Sequence, residues 1–218
     1  MIEDLRFAIR TLRKAPGFTL LVLFTLAVAI GANTALFSVV KGVLLNPLPF
    51  DDPEPLVGVW HKAPGLGFNE LNASPASYFT YREENRVFEE TGIWRGGAST
   101  VTGTGEPERV ESLRVTDGTL PLLRVRAALG RIFDRKDDLP TSPETVLLTH
   151  NYWQRKFGGD RTVIGRVMKI DGKNHEIIGV LPPGFRFLNE HPALIFPMRF
   201  NRAEVFVGEF SFMQVARL

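Results

Sequence analysis

Few side chains in this chain have the type and spacing to do chemistry. His61, His150, His175 and His191 are scattered, and none stands in an H-E-x-x-H pair, so they read as surface or capping residues. Asp134, Asp137 and Asp138 cluster, but without the glycine and closing glutamate of a calcium loop, and read as a solvated loop. Asp51 and Asp52 sit among prolines and read as the end of a stalk. Asn72-Ala73-Ser74 fits a glycosylation acceptor, with Pro75 directly after it. There is no cysteine, which excludes disulfides, thiolate metal sites and cysteine nucleophiles. There is no G-x-x-x-x-G-K-[ST] and no G-x-S-x-G. The expectation is a chain without catalytic residues, cofactor or metal.

Charge excludes a further class. Arg6, Arg10, Arg13 and Lys14 stand against Glu3 and Asp4, and together they account for the whole formal charge of +2. The rest of the chain is balanced, so no basic surface remains for nucleic acid.

The dominant feature is Phe18–Val40, about 23 residues without a charge, where about 20 suffice to cross a bilayer as a helix. A helix satisfies its own backbone polar groups, which lipid cannot do. Arg6, Arg10, Arg13 and Lys14 precede it and set the N-terminus on the cytoplasmic side. Ala27-Val28-Ala29 resembles a signal-peptidase site, but the apolar run continues to Leu45, longer than a secretory leader needs. An uncleaved anchor is therefore expected. Ala27, Gly31 and Ala35 fall four residues apart, with Asn33 and Thr34 nearby. Small residues at that spacing, and an amide in lipid, favour contact with another helix.

Three segments follow: 1–17, an amphipathic helix on the inner membrane surface ended by Pro16-Gly17; 18–45, the span with a stalk extension; and 46–218, the outer domain. Within the last, 56–60 reads as a strand, 63–72 as a loop, and Ser74-Pro75 as the start of a helix to about Asn85. Residues 93–102 read as a weak glycine-rich strand, 110–116 as a stronger one, and 120–125 as a short turn or helix. Residues 146–148 form a buried-type strand. Thr149 caps a helix carrying Tyr152, Trp153 and Phe157 and stopped by Gly158-Gly159. Asp171-Gly172 joins 167–170 to 173–180 in a hairpin. Strands at 194–197 and 212–218 complete an α+β domain with mixed or antiparallel pairing, the last strand having no evident mate.

Several stretches resemble MacB-like ABC transporter permeases, closest to the acidobacterial duplicated-permease branch. They are DLRFAIRTLRKAPGFTLLVLFTLAVAIGANTALFSVVKGVLLNPLPF, GEPERVESLRV, RAALGRIF, TVLLTHNYWQRKFGGDRTVIGRVMKIDGKNHEIIGVLPPGF and FSFMQVARL. The resemblance implies a transmembrane helix followed by a periplasmic core domain in a bacterial inner membrane. It implies a non-catalytic permease component that works in export or mechanotransmission with a separate cytoplasmic ABC ATPase subunit. The family's further transmembrane helices are missing, so partner helices are expected from other permease helices or a second permease copy. The other reading is a single-pass anchored binding domain without an ATPase partner.

Overall fold

The computed structural model describes residues 6–7, 10, 12–40, 50, 52–103 and 105–218. The chain divides into two compact units, Met1–Pro47 and Leu48–Leu218.

In the first unit the described residues among 6–14 are helical, and the helix is interrupted at Ala15. Helix α1 then runs Pro16–Val40. The expected break at Pro16-Gly17 thus falls one residue earlier. Proline's missing N–H costs nothing in a first helical turn, so it opens α1 rather than ending the preceding helix. The 25 residues of α1 span about 37 Å, long and apolar enough to cross a membrane. Its hydroxyls bond back to the helix: Thr25 Oγ1 donates to the Val22 carbonyl at 2.9 Å and Ser38 Oγ to that of Thr34 at 2.8 Å. Most of the expected inner-surface helix, and the stalk extension to Leu45, lie outside the described residues.

The second unit is built on a barrel. Strand β4 (Glu90–Thr102) pairs antiparallel with β5 (Glu108–Val115), and β5 pairs parallel with β10 (Leu194–Pro197). Strand β10 pairs antiparallel with β7 (Thr145–Leu148), and β7 parallel with β9 (Lys173–Val180). The hairpin β8–β9 brings β8 (Val167–Ile170) back to the end of β4, at Val101↔Ile170 and Thr102↔Lys169. Six strands thereby close into a ring. The first half of β4 pairs on that same side with β11 (Met213–Arg217), which pairs with β1 (Leu56–Gly58). A short β6 (Leu129–Gly130) lines β9.

Alternation along the strands fills the ring. Val101, Val110, Val146, Met168, Ile170, Ile177, Leu194 and Phe196 make one core, joined at one end by Tyr152 of α4 (His150–Phe157). The other faces of the same strands are also covered. Leu113, Leu147, Ile178 and Ile195 pack beneath Leu120, Leu122, Phe133 and Phe187 of the crossing segments, which include α3 (Thr119–Leu122). Strands buried on both faces read as unbroken apolar runs, which explains Val146-Leu147-Leu148 and Leu194-Ile195-Phe196. A third cluster joins Tyr78 of α2 (Pro75–Glu84) to Ile93 and Phe212.

Several expectations are met in detail. Asp171 and Gly172 both take positive φ (49° and 81°), as a type I′ turn requires. Ser74 Oγ accepts from the Ser77 N–H at 3.1 Å and Ser77 Oγ from the Ser74 N–H at 3.0 Å, a reciprocal cap on α2. Gly158 closes α4 in the left-handed conformation (φ 59°).

Others are corrected. The stretch 63–72 is not all loop, because β2 (His61–Ala63) pairs with β3 (Phe68–Leu71). The weak strand at 93–102 is the longest in the domain, since pairing on both sides outweighs its glycines. The last strand has two mates, β1 and β4. Thr149 Oγ1 donates to the Ala193 carbonyl instead of capping α4. Ser74 is buried and engaged as a cap, so the Asn72 tripeptide serves the fold.

Backbones come closest where β6 meets β9. A Cβ on Gly179 would lie 2.1 Å from the Arg131 carbonyl oxygen. Gly179→Ala is expected to destabilise the domain by about 2 to 3 kcal/mol through forced separation of the two segments. Thermal unfolding of the detergent-solubilised chain measures it; an unchanged midpoint would show that the contact yields freely.

Candidate functional site

Three places can carry function: the faces of α1, the pairing of the first and last strands of the second unit, and one mouth of the barrel.

On α1, successive residues turn by about 100°. Ala27, Gly31 and Ala35 therefore share a face, joined by Thr34. Asn33 falls on the opposite side, so the helix does not bring it to the small-residue stripe. Nothing crowds Gly31, whose added Cβ would meet no atom within 4 Å. Among the described residues, neither Asn33 nor Thr34 finds a side-chain hydrogen-bond partner. Arg6, Arg10, Arg13 and Lys14 are exposed.

The first and last strands of the second unit lie side by side. Strand β1 runs antiparallel to β11, with Leu56 opposite Arg217, and the Leu218 N–H donates to the Pro55 carbonyl at 3.0 Å. Arg217 is 1% exposed although charged. Its Nε donates to the Leu122 carbonyl at 2.7 Å, and its Nη1 to the Asp52 carbonyl at 2.9 Å and to Asp52 Oδ2 at 3.2 Å. Phe50 packs on the neighbouring core. Asp52 is thus part of a clasp, where the sequence read it as a stalk marker. Asp51 lies outside the described residues.

The acidic loop is not a solvated one. Asp134 is exposed, but Asp137 is buried and forms a two-pronged pair with Arg131, at 2.5 and 3.0 Å. Burial opposes ionisation of Asp137, yet the bonds from Arg131 and from the Asp134 N–H prevail and hold its carboxyl below the usual range. Asp138 Oδ2 accepts from the Asp117 N–H at 2.9 Å and Oδ1 from the Met198 N–H at 3.2 Å. Asp117 in turn pairs with Arg82, at 2.6 and 2.9 Å. The expectation of a solvated loop is thus corrected for Asp137 and Asp138, whose partners, Arg131 apart, lie far along the chain or in the turn itself. Among the described residues no group of three histidine, cysteine, aspartate or glutamate side chains is placed to hold a metal ion.

At the barrel mouth, His175 is buried rather than on the surface, its ring edge-on to Phe196 at 5.2 Å. Burial lowers its proton affinity, so the ring stays neutral. Glu144 gathers Arg199 at 2.9 Å, Lys173 at 3.3 Å and His175 at 3.5 Å. Burial resists its charge, but Arg199 leads the cations that keep it ionised. No sequence pattern joined these four, since the barrel register alone brings them together.

A family model described as the MacB-like periplasmic core domain matches residues 19–215. The chain belongs to this family. No curated protein sequence matches the chain. The fold is similar to the periplasmic region of MacB from Actinobacillus actinomycetemcomitans, at TM-score 0.54 and 9% identity over 75% of this chain and 74% of that one. It is similar to a domain of a putative permease from Porphyromonas gingivalis, at TM-score 0.57 and 20% identity, covering 78% and 77% of the two chains. It is also similar to the extracellular domain of the noncanonic ABC-type transporter YknZ from Gram-positive bacteria, at 0.54 and 14%, covering 74% and 82%. At such identities the likeness establishes the fold. An apolar anchor helix joined to this domain places the chain among membrane-anchored MacB-like proteins.

Two predictions test the clasp and the loop. Arg217→Met is expected to cost about 2 kcal/mol in urea unfolding, because buried carbonyls lose their donor. Asp52→Asn is expected to cost under about 1 kcal/mol, since an exposed carboxylate adds little. Equal losses would show that the ion pair, not the carbonyl contacts, holds the clasp. Burial pushes the Asp138 carboxyl up to about 8, against its two N–H donors. The folded chain then binds a proton that the unfolded chain releases at lower pH. Stability contributed by this group is therefore lost as pH rises from the ordinary aspartate range towards about 8. Melting temperatures across that window should fall more steeply for the wild type than for Asp138→Asn; parallel curves would place the titration elsewhere.

Proposed function

We propose that this chain is a non-catalytic permease component of an ABC-type export or mechanotransmission system, coupling a cytoplasmic ATPase subunit to the outer domain. The observation that carries the reading is an apolar helix, Pro16–Val40, preceding in sequence a MacB-like domain whose first and last strands are paired. A displacement of the entering chain reaches β11 through the Asp52–Arg217 clasp, and from β11 the barrel strand β4. The basic residues Arg6, Arg10, Arg13 and Lys14 support a cytoplasmic N-terminus and an outer domain beyond the bacterial inner membrane.

Within the bilayer, the stripe of Ala27, Gly31, Thr34 and Ala35 is a close-approach surface for one helix. Asn33 offers a hydrogen bond to a second neighbour on the opposite side. Partner helices come from other permease spans or another copy.

The test has two arms. Protease added to intact spheroplasts should trim the C-terminal bulk, and protection would invert the topology. Affinity purification from membranes should recover an ABC ATPase; its reproducible absence would favour an anchored binding domain acting alone. Gly31→Leu and Asn33→Leu should each weaken crosslinking to partner helices while leaving membrane insertion intact. Crosslinking unaffected by both would remove the case for packing through either face.

A further inference from the structure

At the barrel mouth two like charges face each other. Arg95 on β4 and Arg114 on β5 are register partners, directly opposite each other on the same face. Like charges so placed repel, and a sheet gains nothing by pairing them. Each guanidinium lies over an aromatic ring: Arg95 over Phe212 and Arg114 over Phe196, both at 4.9 Å from the centroid. Both guanidiniums border one cleft of about 560 Å³, within the size range of small-molecule sites.

The cleft also holds carboxylates, but each is already engaged. Glu144 is taken by Arg199, Lys173 and His175. Asp171 Oδ1 accepts from the Thr100 N–H at 2.8 Å, and Glu204 from Asn201 Nδ2 at 2.7 Å. Glu209 reaches Arg95 only at 3.4 Å, between half-exposed side chains, and also accepts from Ser211. Arg114 has neither a hydrogen bond nor an ion pair among the described residues. Burial, then the nearby Arg95 and Arg199, lower its hold on its proton despite the pull of Glu144 and Asp171. The ring floor, completed by Phe200 edge-on to Phe212 at 5.4 Å, is apolar.

We propose that this mouth binds a small amphipathic anion, its carboxylate or phosphate held between the Arg95 and Arg114 forks and its apolar body on the phenylalanine floor. A guanidinium presents paired donors that match either oxyanion. The assignment stands on the mouth's geometry and holds whether or not an ATPase partner exists.

The test uses the full chain in a non-ionic detergent, with benzoate, phenyl phosphate and neutral benzamide as probes in titration calorimetry. Saturable binding of benzoate or phenyl phosphate, at one site per chain, is the expected result, and which of them binds more tightly names the headgroup. Benzamide should bind more weakly than the better anion. Arg114→Gln should weaken that anion by about tenfold or more, since a charge-assisted bond is lost. Arg114→Lys, which keeps the charge but not the fork, should lose less. Arg155→Gln at the opposite end of the barrel should bind as the wild type and controls for surface charge. Arg114 lies at the rim, and an unchanged circular dichroism spectrum confirms that its variants fold. No saturable binding of either anion, equal binding of benzamide, or an Arg114→Gln variant that binds as the wild type would overturn the proposal.

Discussion

Everything in the MacB-like domain depends on how one strand distributes its backbone hydrogen bonds. Along one edge β4 meets β5. Along the other it meets β11 near its start and β8 near its end. That divided edge closes the ring and also attaches the strands through which the chain enters and leaves. A sheet edge left open exposes unpaired N–H and C=O groups and invites another chain to pair there. Closure removes that hazard in the ring, and the attached pair β11–β1 extends the protection. The closing contact is short, two register pairs, but it is reinforced by Asp171, whose N–H donates to the Thr100 carbonyl while its carboxylate accepts from the Thr100 N–H.

Closure has a consequence for the paired ends. Because β1 and β11 hang from the same edge that completes the barrel, the first and last strands of the domain are tied to the strand that closes it. Arg217 makes the attachment specific. Burying a guanidinium is costly unless its donors are met, and here they meet carbonyls from two distant segments as well as a carboxylate. The pairing of β1 with β11 and the Arg217 contacts together tie the first and last strands of the domain to β4.

What the sequence disclosed and what it withheld follow the range of the interactions involved. The span, the Asp171-Gly172 turn, the Ser74 cap and the Gly158 stop depend on neighbouring residues, and each was legible. Val146–Leu148 and Leu194–Pro197 were readable as buried strands because both faces must be apolar. The importance of β4 was hidden, since Gly92, Gly96 and Gly97 weaken its local signal while its partners lie far along the chain. Gly92 is itself required by a close neighbour, since a Cβ there would lie 2.8 Å from the Thr119 Cα. The carboxylates of 134–138 were read as solvated for the same reason. Local sequence does not show that Asp138 accepts from the distant Asp117 and Met198 N–H groups.

The same logic separates the two ends of the barrel. At one end α4 lies across the opening, with Tyr152 in the core and Arg155 and Lys156 paired to Glu108 at the start of β5. That end is closed by side chains whose charges are matched. At the other end the register sets two arginines opposite each other, and of the nearby acids only Glu209 reaches one of them, Arg95 at 3.4 Å. A fold under selection for stability alone has no reason to oppose Arg95 with Arg114, because a neutral or acidic residue at either position would remove the repulsion. The asymmetry therefore locates the part of this domain where sequence is spent on something other than holding the barrel together.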